Sequence, residues 1–268
     1  MTANRTLEEV LHLANRIVPG LHGVVASGAS RPPSSASPSV PRTLHRRPAP
    51  RSGNRVALEA LFARWAAAYP EAGRAYWSLR CWSILIWQPI YLSVIGVHTA
   101  QCAVSLEHFE QSIENGWTHE VRLLGHEPAQ GDLAALIDLA SREIAACCAQ
   151  ILDELSGIAR LNAHAAIGMQ ADCVLAALLA QRSSHLAWDH AHIEALGERW
   201  LEALALVGRS GFLAYPCSDG SSGLALDRQT CCYHYLRRDG ESCSTCPRLE
   251  KHERIARLNA RRDITPTV

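Results

Sequence analysis

Residues 132–158 read DLAALIDLASREIAACCAQILDELSGI. The apolar positions Leu133, Leu136, Ile137, Ala140, Ile144, Cys148, Ile151, Leu155 and Ile158 recur at i, i+3 and i+4 over about seven turns, which predicts one long amphipathic helix. The same period predicts helices over residues 163–181 and 190–207, a short one over 6–17, one from Val56 through Trp65 to Pro70, and another beginning near Gly73. A single β element stands out. Residues 104–114 and 117–124 flank Asn115-Gly116, a two-residue turn type that needs positive φ at both positions, so a hairpin is predicted there. The fold class is therefore mainly α, a helical body with one small β-hairpin and a short cysteine-bearing C-terminal segment.

Residues 81–106 carry no Asp, Glu, Lys or Arg. Ser83, Gln88, Pro89 and Ser93 interrupt the apolar run, and Pro89 is expected to break it into a buried pair of helices rather than one membrane-spanning helix. The 268 residues have formal net charge zero and 48% hydrophobic side chains, which argues against a wholly disordered chain or a histone-like nucleic-acid binder. Neutrality hides segregation. Residues 1–55 carry eight Arg against Glu8 and Glu9, residues 56–226 nine Arg against eighteen acids, and residues 227–268 nine bases against six acids. Residues 27–54 hold six prolines among serines and arginines and no acid, which reads as a disordered basic linker. The implied organisation is an N-terminal helix (1–26), that linker (27–54), a helical body (55–226) and a C-terminal segment (227–268). Glu8 and Glu9 stand where a secretory leader needs an apolar core, so a reducing cytoplasm is expected, with thiols or metal thiolates in place of disulfides.

The chemistry is concentrated near the C-terminus. Cys231-Cys232, ten residues, then Cys243-Ser-Thr-Cys246-Pro247 places four sulfurs within sixteen residues, bent at Asp239-Gly240. A C-x2-C turn lets two sulfurs reach one metal site with backbone N–H groups facing them. Adjacent cysteines diverge and serve a single zinc poorly, while two separated irons tolerate the divergence. On spacing, a 2Fe-2S cluster, a structural zinc and a thiol redox pair all stand as readings.

The run C-C-x10-C-x2-C-P resembles the C-terminal motif of the FhuF-type ferric siderophore reductases, sharply over residues 228–249 and loosely over the helical body from about Val56. The resemblance implies that Cys231, Cys232, Cys243 and Cys246 are the metal and cofactor ligands of a 2Fe-2S cluster, making residues 227–268 an iron-sulfur segment and residues 55–226 a siderophore-binding body. It implies a cytoplasmic oxidoreductase passing one electron to siderophore-bound Fe(III). None of the seventeen glycines lies in a G-x-G-x-x-G or P-loop pattern, so the electron is expected from an external donor protein, with no nucleic-acid partner. The basic linker leaves peripheral contact with the inner face of the cell membrane open. The reading from another class is a zinc-stabilised ligand-binding or interaction protein without redox activity.

Around the cluster, the expected tuning groups are the Ser244-Thr245 amides, Arg237, Arg238, Tyr233 and Tyr235. Arg248, Lys251, Arg254, Arg257, Arg261 and Arg262 read either as a docking surface or as an ordinary charged helix with Glu250 and Glu253 interleaved. In Asp189-His190-Ala191-His192 the histidines point to opposite sides of a helix, so Asp189 is expected as a cap and the pair as no metal site. His164 and His185 read as structural or exposed, and Cys81, Cys102, Cys147, Cys148 and Cys173 as packing. Cys217 is the one further cysteine with a claim to lie near the site.

Overall fold

The computed structural model describes residues 6–26, 43–45, 51–185 and 187–264. Among these the helices are α1 (Leu7–Ile17), α2 (Arg51–Ala68), α3 (Gly73–Ile95), α4 (Leu133–Ser156), α5 (Ala163–Ala180), α6 (His190–Ala203) and α7 (Lys251–Ile264). The strands are β1 (His22–Ala26), β2 (Thr43–His45), β3 (Phe109–Glu114), β4 (Trp117–Leu124), β5 (Phe212–Pro216) and β6 (Ser222–Leu226). The fold is mainly α, as the periodicity predicts.

Helix α3 is the axis of the core. It packs against α1, α2, α4 and α5, and Tyr76, Leu79, Trp82, Leu85, Ile86, Ile90, Leu92 and Ile95 are all buried. Trp82 ties it to α5, its Nε1–H donating to the Ala166 carbonyl at 2.8 Å. α3 with its flanking turns and α5 are long and apolar enough to cross a membrane by length and composition, but 78% of the most apolar window of α3 is buried against the rest of the protein.

Pro89 does not divide this helix, contrary to expectation: α3 runs unbroken through it and continues into one π-helical turn, Gly96–Ala100. A proline leaves the carbonyl four residues back without its helical donor. Here that carbonyl, Leu85 O, accepts from Gln111 Nε2 at 2.9 Å, so a β3 side chain supplies the missing hydrogen bond.

The predicted hairpin is present, with Asn115 at φ 51° and Gly116 at φ 87°. It is the centre of a larger sheet, order β1-β4-β3-β2, in which β1 runs parallel to β4 and β2 antiparallel to β3. A second hairpin pairs β5 with β6. The basic segment 27–54 is thus partly ordered: Thr43–His45 form β2 and residues 51–54 already belong to α2, while 27–42 and 46–50 lie outside the described residues. α1 is no separate unit either, since Leu7, Val10, Leu11 and Ala14 are buried in the main core. α6 stops at Ala203, short of 207, because Ala205 turns left-handed at φ 54° and the Leu206 N–H bonds back to the Leu201 carbonyl at 2.7 Å.

Two outcomes test this core. Gln111→Leu is expected to destabilise the protein by roughly 1–3 kcal/mol in urea titrations, and by less in a Pro89→Ala background, where a backbone N–H again reaches Leu85 O. At the far end of α3, burial lowers His98 to about 4, and its Nε2 accepts from Trp200 Nε1 at 2.8 Å. Its contribution to stability should be complete above the unfolded value near 6.5 and fall as pH drops toward about 4, a decline that thermal melts should show flattened in His98→Gln.

Candidate iron-sulfur site

From β6 the chain passes Asp227 and Arg228 into Cys231-Cys232, makes a short 3-10 turn at His234–Leu236, reverses at Arg237–Gly240, and returns through Cys243 and Cys246 to α7. The local folding is set by hydrogen bonds and by one glycine. Gly240 N donates to Arg237 O at 2.9 Å, and a Cβ at Gly240 would stand 2.1 Å from the His234 carbonyl. Tyr233, in the left-handed region at φ 57°, bends the chain just after the adjacent cysteines. The C-x2-C turn closes through Cys246 N to Cys243 O at 3.0 Å.

The four sulfurs lie close together as two facing pairs. Cys232 meets Cys243, and Cys231 meets Cys246. Among the described residues no three His, Cys, Asp or Glu side chains converge on one ion-sized point. Two pairs suit a binuclear cluster with two thiolates on each iron. The environment favours the thiolate at Cys232, while burial raises Cys231. Tyr233 N–H points to Cys231 Sγ at 3.4 Å, and His234 N–H to Cys232. A hydrogen bond from Cys243, together with Arg228 and His234, outweighs burial and holds Cys232 down to about 5, while its donor Cys243 is raised. Cys246 is buried and the other three are half-exposed.

Three surfaces hold this loop. The first is α5. Gly168 lets Thr230 approach so closely that a Cβ there would fall 2.1 Å from Thr230 Oγ1. Asp172, also on α5 and buried, pairs with Arg228 Nε at 2.7 Å, and Arg228 Nη1 lies 3.6 Å from Cys243 Sγ, an ordinary N–H···S length for so large an acceptor. The second is the α2–α3 junction. Arg237 lies over the Tyr69 ring and pairs with Asp239, which the hydrogen bond from Arg237 lowers to about 2. The Arg238 N–H donates to Glu71 and its guanidinium to the Ala68 carbonyl. The third is α7, where Arg254 pairs with Asp227, Arg257 donates to the Ser242 carbonyl and Arg261 to Ser244 Oγ.

These contacts reassign several expected roles. Arg237 and Arg238 are committed to Tyr69, Asp239, Glu71 and Ala68, so they anchor the turn at 237–240; the cation in contact with a cysteine is Arg228, and the charge of Arg80 acts on Cys232 through space. Arg248 reaches the Tyr235 hydroxyl. The basic residues of α7 clamp the loop from outside, a third role beside the docking surface and the plain charged helix. Cys217 is buried with Tyr215 and Ala225 against Ile255 and Leu258 of α7. Asp189 caps α6, its carboxylate accepting from His192 N–H at 2.8 Å, as expected. Sequence reasoning missed Arg80, Asp172, Ser210 and Arg228. Asp172 had a readable signal, as the only acid in the apolar α5, where a charge needs a partner.

Residues 228–248 match the family model of the FhuF 2Fe-2S C-terminal domain. The chain carries an FhuF-type C-terminal domain. Its cofactor is a 2Fe-2S cluster, and the four paired cysteines with their N–H donors form a thiolate set suited to that group. No solved structure matches the chain. The FhuF-type segment is short, and the contacts above show how the rest of the protein frames it.

Gly168→Ala is expected to push Thr230 and the adjacent cysteines off α5, lowering the iron bound per chain several-fold while far-UV helicity persists. Gly211→Ala, where an added Cβ meets nothing within 4 Å, should leave iron content unchanged.

Proposed function

We propose that this protein is a ferric siderophore reductase in which Cys231, Cys232, Cys243 and Cys246 hold a 2Fe-2S cluster that passes one electron to siderophore-bound Fe(III). The observation that carries the reading is the FhuF-type match over residues 228–248, with the two facing cysteine pairs behind it. The chemistry is coherent. Siderophores bind Fe(III) through hard oxygen donors, and Fe(II) binds such donors more weakly, so one electron suffices to loosen the metal. A 2Fe-2S cluster supplies one electron at a potential set by charge, exposure and hydrogen bonds to sulfur.

In this reading the tail (227–268) carries the cluster and the body (55–226) receives the siderophore, in the cytoplasm, with reducing equivalents from an external donor protein. The half-exposure of Cys231, Cys232 and Cys243 supports direct exchange at the surface, without a buried channel. The position of the cavities supports a substrate seat near α6. One cavity of about 420 Å³, between α6 and β5, includes Ser210, whose hydroxyl donates to Asp172 and so stands two side chains from Cys243. A second cavity, of about 520 Å³, lies by His98 and Trp188 at the opposite end of α3, some 30 Å along the helix from Tyr76 at a rise of about 1.5 Å per residue.

Protein purified without air should be coloured, with iron and sulfide in equal amounts. It should bleach with dithionite and regain colour on adding a ferric siderophore while a chelator traps Fe(II). Stoichiometric zinc in a colourless preparation would overturn the proposal. Cys243→Ser should lose the cluster yet keep most of its far-UV helicity, because Cys243 is not among the residues packed into the helical core; global unfolding would contradict this.

A further inference from the structure

Arg228 turns two edges of one planar guanidinium toward two different charges. Nε lies 2.7 Å from Asp172 Oδ2, and Asp172 Oδ1 accepts from Ser210 Oγ at 2.6 Å, which fixes the carboxylate and through it the plane of the guanidinium. The other edge presents Nη1 to Cys243 Sγ at 3.6 Å. With side chains only 14% and 6% exposed, the Arg228–Asp172 pair is sheltered from salt and solvent. The charge of Arg80 also acts on Cys232 through space, its guanidinium held over the rings of Trp65 at 4.7 Å and Trp117 at 4.3 Å. Among the described residues no carboxylate pairs with Arg80, and its buried Nε has no hydrogen-bond partner. The described contacts of Cys231, in contrast, are the Tyr233 N–H and its fellow cysteines.

We propose that Arg228, oriented by Asp172, sets the reduction potential of the cluster: its Nη1–H donates to Cys243 Sγ and stabilises the charge added on reduction, while Asp172 limits how much positive charge reaches the sulfur. The proposal rests on the four-cysteine ligation given above and is independent of which acceptor takes the electron. The balance is simple. One electron from an external donor, dithionite in the test, converts one ferric iron to ferrous; no bond breaks, and the four-thiolate cluster becomes one unit more negative. A hydrogen bond to a charged acceptor strengthens as the acceptor gains charge, so the donor favours the reduced form and raises the potential. Asp172 opposes it, because its own negative charge repels negative charge added at Cys232.

A merely structural clamp predicts that Arg228→Gln and Asp172→Asn both loosen the loop and leave the potential of the retained cluster unmoved. A potential-setting pair predicts displacements of opposite sign. In redox titrations followed by visible absorption and electron paramagnetic resonance on anaerobically purified protein, Arg228→Gln should lower the equilibrium constant for reduction at least tenfold, about 59 mV for one electron. Arg228→Lys should fall between the two, because it keeps the charge and loses the forked geometry. Asp172→Asn should shift the potential upward and Arg80→Gln downward. Unchanged potentials in Arg228→Gln and Asp172→Asn, or shifts of the same sign in both, would overturn the proposal. Where Arg228→Gln retains no cluster, wild-type protein labelled with 15N-arginine and reduced with dithionite decides: a 15N coupling in the spin-echo spectrum that persists in Arg80→Gln supports the contact, and its absence overturns it. Colourless, zinc-loaded wild-type protein would overturn the cofactor assignment itself, and metal content shows this before any titration.

Discussion

The ion pair between Asp172 and Arg228 is the constraint from which the placement of the cysteines follows. Asp172 sits within an otherwise apolar helix, where desolvation pushes its carboxyl up and Arg228 and Ser210 pull it back. Leaving one member of such a pair alone in the interior costs about 3–5 kcal/mol, a large share of a typical folding free energy. The tail must therefore enter at one place on α5. Once Arg228 is fixed there, Thr230 drops against Gly168 and the adjacent cysteines follow within three residues. The hairpin beyond them then docks on Tyr69 and Glu71, and α7 closes over the return strand of the loop.

The outer contacts of the loop are of a different kind. Arg238–Glu71 is a largely exposed ion pair, screened by water and salt. Asp239 is exposed too, so its favourable pairing with Arg237 is screened. These contacts select one orientation of the hairpin more than they stabilise it. The cation–π contacts of Arg237 and Arg238 on Tyr69 act in the same sense, adding direction to the docking.

The parts of the architecture that were legible in sequence are those whose signal is local. The i, i+3, i+4 pattern of residues 132–158, the Asn115-Gly116 turn and the spacing of the four cysteines each state their own geometry. What was not legible depends on partners far away in the chain. Pro89 reads as a helix breaker until Gln111, from another element, supplies the donor that Leu85 O lacks. β1 and β2 are short strands that exist by pairing with β4 and β3, and no alternation within them announces it. Arg237 and Arg238, adjacent in the loop between the two cysteine pairs, were expected to tune the cluster, whereas Arg80 comes from α3 and Arg228 turns inward to Asp172 of α5. Position between the cysteines misled, where the lone buried acid of α5 would have pointed to Arg228.

The close approach of Thr230 to Gly168 has a consequence for inheritance. A chain ending before Arg228 would expose the α5 backbone at Gly168, strand the Asp172 carboxylate and uncover Tyr76, which His234 now meets edge-on. The cysteine segment is thus the last wall of the body, shaped to a matching recess. Moved onto another helical protein it would find no such recess, so the segment and the face of α5 that receives it should be exchanged, lost or kept together as one unit.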